Sequence, residues 1–226
     1  MHIQMVWRPH LTAVNNNHRR FLLRKLAFLA TVFAFFVLPN LASAQQGDAM
    51  IGFGTIMSPG ASACGYSNSG GVVCPEKGGF YPSVGVDAIF HKRIGVGFDI
   101  LWRGGQGNFG GPNGQPYRPI LFDFNGVYQP RLGKKVGLDL MGGVGWQDTR
   151  FYGYNNSVNC IYFNGCYTSH NHFLVDVGAG IRYYVWGHVF VRPEARYYHI
   201  VNNDDVFTSD NVIRVGASIG YTIGPD

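Results

Sequence analysis

The sequence predicts an all-β fold, a closed antiparallel eight-stranded transmembrane β-barrel that is preceded by a cleavable signal peptide. Three observations predict it. Of 226 residues, 32 are glycine and only 14% are charged, whereas soluble domains are about 25% charged. Hydrophobic residues alternate with small or polar ones over eight segments, as in strands with two different faces. The connections between these segments are alternately long and short.

The first 44 residues have the order of a secretory signal. Basic residues between positions 19 and 25 precede an apolar run over residues 26–38, and Ala42, Ser43 and Ala44 are small enough for cleavage. The run is too short for a helical membrane span, which needs about 20 residues. We therefore expect a signal peptide over residues 1–44 and one domain over residues 45–226, exported from the cytoplasm.

The basic character of the chain belongs to this leader. The formal net charge is +5, but five basic residues and no acidic residue lie within residues 1–44. The rest carries 13 bases and 13 acids. A basic surface for nucleic acid is therefore not expected.

Alternation with a period of two runs through almost all of residues 45–226. In one segment, Ile94, Val96 and Phe98 share one face while Gly95 and Gly97 share the other. The predicted strands are 49–56, 80–90, 94–102, 120–128, 136–146, 173–183, 189–198 and 213–223.

Charge lies on only one face of these strands. A soluble sandwich or lipocalin-like barrel would turn that face to water, whereas a membrane barrel turns it to the lumen. The charged face is rich in glycine and nearly free of lysine, which suits a narrow interior where charges must pair. Its ten charged residues are Asp87, Asp99, Asp123, Asp139, Asp176, Arg182, Arg192, Glu194, Arg196 and Arg214.

The loop lengths also favour a membrane barrel. Long connections (57–79, 103–117, 148–171 and 201–211) alternate with short ones (91–93, 129–135 and 185–188). All long loops therefore fall at one end, as in outer-membrane barrels with long extracellular loops and short periplasmic turns. Aromatic residues near the ends of the apolar faces are typical of the same class. A soluble periplasmic binding barrel is the alternative fold.

The chain resembles the small eight-stranded outer-membrane barrels of the outer membrane protein A and X types. The most specific segments are the penultimate strand, VRPEARYY at 191–198, and the closing strand, RVGASIGY at 214–221. The resemblance implies an integral protein of the outer membrane, contact with its lipid and lipopolysaccharide, and insertion by the barrel-assembly machinery. Members usually end on an aromatic residue, whereas Tyr221 is followed by five more residues. Pro193 lacks a ladder donor, which predicts a local bulge.

We interpret the charged face as an interior network. A turn centred near Trp186 would place Asp176 opposite Arg196. Because an eight-stranded barrel is just wide enough to be filled by its own side chains, we expect a neutralised, hydrogen-bonded plug. The alternative is a gate whose ion pairs exchange partners to open a narrow path.

Four cysteines occur as two pairs, each within one long loop. Cys64 and Cys74 form the first pair, and Cys160 and Cys166 the second. An even number of cysteines in an exported protein favours two disulfides. Zinc is the rival, but the spacings lack the CxxC form of structural sites.

Catalysis and cofactors are not predicted. The region around His199 is similar to the histidine–serine region of the lipid A deacylases, but Val201 stands at the position of their nucleophilic serine. A hydrolase without nucleophile and orienting acid has no triad. His170 and His172 have no nearby carboxylate in sequence and are interpreted as polar residues at a strand entrance, not as metal ligands.

These observations favour a structural or surface-interaction role for a monomeric barrel. Its long loops would contribute to envelope integrity, adhesion or docking to an extracellular partner, because loops carry function more often than the scaffold does. A narrow gated pore is the alternative, and a lipid-modifying enzyme is a third hypothesis.

Overall fold

The fold was analysed in a computed structural model of the chain. The structure describes residues 46–60, 63–66, 72–90, 93–109, 114–153 and 167–224. The predicted signal peptide lies outside these residues. No helix in this part of the chain is long and apolar enough to cross a membrane.

Eight long strands form one antiparallel sheet. They are β1 (Gln46–Met57), β2 (Tyr81–Ile89), β3 (Ile94–Trp102), β4 (Gln115–Tyr128), β5 (Val136–Tyr152), β6 (Tyr167–Trp186), β7 (Val189–Ile200) and β8 (Asn211–Ile223). Short strands Gly65–Tyr66, Val72–Val73 and Gly107–Phe109 and a 3₁₀ turn at Asn203–Asp205 lie between them.

The sheet closes on itself. Each strand pairs with its neighbours in sequence, β3 pairs with β4, and β1 pairs with β8. The closed antiparallel barrel of eight strands is therefore confirmed. Closure gives each of the eight strands two hydrogen-bonding neighbours, so none of them is an edge strand. An edge strand in lipid would leave backbone groups without hydrogen bonds, because hydrocarbon cannot form them.

The apolar face points outward and the charged face points inward. Ile51 is 68% exposed and Ile219 54%, whereas Asp123 and Asp139 are fully buried. An outward apolar surface of this kind is stable against lipid and not against water. The soluble alternative, which requires the opposite orientation, does not describe this barrel.

Several strands are longer than predicted. β1 starts at Gln46 rather than at 49, which adds Asp48 to the inward face. β5 continues to Tyr152 and β6 starts at Tyr167, so much of the predicted loop 148–171 is an extension of the hairpin. The alternation of apolar and polar residues is weaker in this extension because neither of its faces contacts the lipid hydrocarbon.

The β6–β7 turn falls within the predicted connection 185–188, but its predicted centre near Trp186 and the predicted bulge at Pro193 were both wrong. The β6–β7 turn lies at Gly187 and His188, where Gly187 adopts a φ of 51° that suits a tight turn. The register shift falls between Val189 and Phe190. Pro193 pairs in register with Ala217 of β8, so its missing N–H causes no bulge there.

A charge placed on the outward face should destabilise the barrel. Val177 is 58% exposed and lies between the aromatic ends of β6, so Val177→Arg should lower the free energy of unfolding from lipid vesicles by about 2–4 kcal/mol. Urea titration would measure it. The control Tyr66→Arg, at a loop residue that is 81% exposed, should change little. Equal stability of the two variants would contradict a lipid-facing Val177.

Candidate functional site

The interior holds every charged residue predicted for the network, and Asp48 in addition. On the side of the short turns, Arg182 forms ion pairs with Asp48 at 2.5 Å and with Asp139 at 3.0 Å. Arg192 lies 3.4 Å from Asp139 and 3.5 Å from Asp87. These side chains are at most 2% exposed, so the carboxylates and guanidinium groups neutralise one another away from bulk solvent.

A second group of ion pairs lies nearer the long loops. Arg196 contacts Asp99 at 2.5 Å and Asp123 at 3.1 Å, and reaches Asp176 at 4.0 Å. Gly178 lies directly opposite Arg196, and a Cβ atom there would approach the Arg196 Cγ to 2.7 Å. The glycine therefore provides the space that the long side chain occupies.

Glu194 extends the first group to the neighbouring strand. Its carboxylate contacts Arg192 at 2.8 Å and also pairs with Arg214. Arg214 donates a further hydrogen bond to the Ser83 hydroxyl at 2.9 Å. Arg214 of β8 thus connects the Glu194 carboxylate of β7 with Ser83 of β2.

The predicted cross-strand pair was wrong in register. Asp176 lies opposite Tyr198, not opposite Arg196, because the turn is centred beyond Trp186. The two side chains still approach each other because they share the inward face of adjacent strands two positions apart.

An apolar layer separates this network from the long-loop end. It is formed by inward side chains of every barrel strand except β5, none more than 1% exposed. The members of this apolar layer are Ile56, Tyr81, Leu101, Leu121, Leu174, Tyr198, Ile200 and Val212. At this height β5 contributes the polar and fully buried Gln147, opposite Leu121, so the layer is apolar on seven of the eight strands.

The first long loop folds over the mouth of the barrel. A disulfide joins Cys64 to Cys74, as predicted for this pair. The Ser58 hydroxyl donates to the backbone carbonyl of Glu76 at 2.8 Å, and the Thr208 N–H of the last loop donates to the Cys74 carbonyl at 3.3 Å. Cys160 and Cys166 lie outside the described residues, so their disulfide stays a prediction.

Beneath this loop, Glu76 is a buried carboxyl that the sequence did not indicate. Its Oε2 accepts a hydrogen bond from Gln147 Nε2 at 2.8 Å, and within the described chain Oε1 has no hydrogen-bond partner. Burial raises the pKa of Glu76 from 4.5 to about 7, against the lowering effects of Gln147 and the Arg103 charge. Tyr81 and Tyr117 also interact electrostatically with this carboxyl.

An aromatic cluster completes the mouth. Phe207 of the last loop packs against Phe109 and Tyr117 at ring-centroid distances of 5.7 Å, and Phe151 of β5 joins them. Arg103 donates to the Tyr117 hydroxyl at 3.0 Å and to the Gly78 carbonyl at 3.3 Å. The mouth is therefore closed by side chains from three loops and two strands.

The described residues offer no metal centre. No group of three or more His, Cys, Asp or Glu side chains among them is arranged to hold an ion. His170 and His172 lie within β6, not at its start, and the His170 ring contacts Phe151 at 5.7 Å. The lumen thus contains ion pairs and an apolar layer, and the first long loop lies over its mouth.

Comparison with known proteins identifies the class. The family model of the outer membrane protein beta-barrel domain matches residues 28–221, and the chain belongs to this family. The protein is therefore an integral outer-membrane β-barrel, and the predicted family and localisation are confirmed. A search of curated protein sequences finds no match.

Two solved structures are similar in fold. Neisserial surface protein A is 13% identical, with a TM-score of 0.55, over 77% of this chain and 96% of that protein. Ail, the attachment invasion locus protein of Yersinia pestis, is 13% identical, with a TM-score of 0.51, over 80% of this chain and 99% of that protein. At such low identity the similarity shows the fold alone.

The docking of the first loop should depend on pH through Glu76. The docked carboxyl binds its proton more tightly than the exposed one, so docking is strongest below pH 4.5, weakens as the pH rises from 4.5 to 7, and stays at the weaker level above. The change is about 3 kcal/mol. Hydrogen exchange of the Gly78 amide, which is bonded to the Ile56 carbonyl at 2.7 Å, would report it as a protection factor.

The matched control for this measurement is Glu76→Gln. The amide keeps the shape of the side chain but does not ionise, so protection at Gly78 should be constant across the same pH range. A pH-dependent loss of protection that persists in Glu76→Gln would contradict the assignment to Glu76.

Proposed function

We propose that the protein is a sealed outer-membrane barrel with a structural and surface-interaction role, which it performs through its extracellular loops. The apolar layer carries this proposal. A lumen closed by buried apolar side chains over a network of ion pairs is a poor path for water or ions, because crossing it would require desolvation of the permeant species. The groups that meet a partner then belong to the outer surface.

The β5–β6 hairpin supports a role outside the membrane. A transmembrane strand needs about 9–11 residues, whereas β5 has 17 residues and β6 has 20. The pairs from Gln147–His172 to Tyr152–Tyr167 continue beyond Trp146 and Phe173, whose rings pack on the outward face. Cys160 and Cys166 lie in the sequence between these two strands, and we propose that they form the second disulfide.

A narrow gated pore is the second candidate. Polar atoms without a hydrogen bond favour it: in the described part of the chain, both carboxylate oxygens of Asp176 and the Nε atoms of Arg192 and Arg196 have no hydrogen-bond partner. Buried polar atoms of this kind are commonly satisfied by internal water. Water in the inner lumen is compatible with a barrel that the apolar layer still closes toward the outside.

An enzymatic role has no support from the geometry near His199. Its Nδ1 lies 3.0 Å from the amide oxygen of Asn211, to which the Tyr197 hydroxyl also donates. An amide stands where a triad would need a carboxylate, and Val201 supplies no nucleophile. We therefore retain the prediction that the protein is not an enzyme.

Conductance in planar bilayers tests the proposal. The wild-type barrel should show no stable conductance steps, whereas Leu101→Ala/Leu174→Ala should conduct because it opens the apolar layer. The control Leu140→Ala removes an outward side chain that is 41% exposed and should remain silent. Discrete wild-type steps that change in Asp176→Asn or Arg196→Gln would contradict the proposal and support the gated pore.

A further inference from the structure

Two arginines lie opposite each other on the outside of the barrel, beyond the hydrocarbon core of the membrane. Arg118 of β4 is the direct cross-strand partner of Arg150 of β5. Both alternate with buried neighbours, Tyr117 and Phe151, so their side chains lie on the outward face. Like charges directly opposite each other in a sheet are destabilising unless an anion lies between them.

The aromatic row below fixes the height of this pair. Phe122, Trp146 and Phe173 lie side by side on the outward face, with adjacent ring centroids 5.8 Å apart. Aromatic rows of this kind mark the membrane interface. The arginines lie four residues farther along each strand, about 13 Å along the strand and about 10 Å along the membrane normal at the usual tilt. That height is the headgroup region of the outer leaflet.

Both guanidinium groups are held in place through their Nε atoms. Arg118 Nε donates to the Arg103 carbonyl at 2.8 Å, and Arg150 Nε donates to Asp148 at 3.0 Å. The Arg150 group also lies over the Tyr167 ring at 4.9 Å. The terminal amino groups of each guanidinium group form the fork that binds phosphate oxygens.

The surroundings supply too few negative charges to neutralise the pair. Asp148 is the sole carboxylate in ion-pair contact with either arginine among the described residues. The two neighbouring loop segments, 103–114 and 153–166, contain no aspartate or glutamate at all. A net positive charge therefore remains on the outward face at headgroup height.

We propose that Arg118 and Arg150 form a binding site for a phosphate group of the outer-leaflet glycolipid. A phosphate monoester between the two forks would accept hydrogen bonds from both and remove their mutual repulsion. The proposal depends on the outer-membrane location of the barrel and not on its closed lumen. A bilayer conductance result therefore leaves it unaffected.

Titration of the purified full chain in neutral-sugar detergent with lipid A tests the site. The wild type should bind lipid A, and the double variant Arg118→Gln/Arg150→Gln should have a dissociation constant at least about tenfold higher. The control Lys134→Gln/Lys135→Gln removes the same charge from an exposed turn at the opposite end of the barrel and should change affinity less than about twofold.

Three outcomes would overturn the proposal. If dephosphorylated lipid A binds the wild type as tightly as lipid A does, the site does not recognise phosphate. If the lysine control loses affinity to the same extent, the effect depends on the net charge of the protein and not on these two arginines. Displacement of lipid A by inorganic phosphate at low millimolar concentration would reassign the pair to a free anion. The heat-dependent gel mobility of each variant would verify that it is folded before titration.

Discussion

The hydrocarbon core of the membrane offers no hydrogen-bonding groups, so every backbone N–H and C=O group within it must pair inside the protein. This requirement governs the structure. Closure between β1 and β8 satisfies that need, and with eight strands it also fixes a narrow lumen. The inward face must then hold small residues and a few long side chains that meet across the axis. The outward face must be apolar. The division of charge between the two faces follows from these two requirements.

The narrow lumen determines which charges occupy it. Burying an ion is costly unless it is paired and its remaining hydrogen-bonding groups are satisfied. The buried bases of the network are all arginines, whose planar fork can contact two carboxylates at once, as Arg192 and Arg196 do. The apolar layer lies between this network and the extracellular mouth, and its side chains are not ionised, so they form no ion pairs.

Most of the fold could be predicted from the sequence because both faces of each strand are constrained, one by lipid and the other by the lumen. The prediction failed where one constraint is missing. Past Trp146 the hairpin leaves the hydrocarbon core of the membrane, and the outward face of β5 carries Asp148 and Arg150 instead of apolar residues. Gly187 fixes a turn that period-two counting placed one residue too early. Glu76 lies in a loop without periodicity, so its burial depends on tertiary contacts with Gln147 and Ser58 that no local pattern encodes.

The mobility of the outer-membrane fraction on a gel in mild detergent, with and without boiling, tests the orientation of the two faces most directly. A barrel with its apolar face toward lipid should be extracted from the membrane, migrate compactly unboiled, and migrate more slowly after boiling breaks the closed sheet. Release of the protein in the soluble periplasmic fraction, with no effect of boiling, would contradict this account. The apolar side chains would then line an interior cavity.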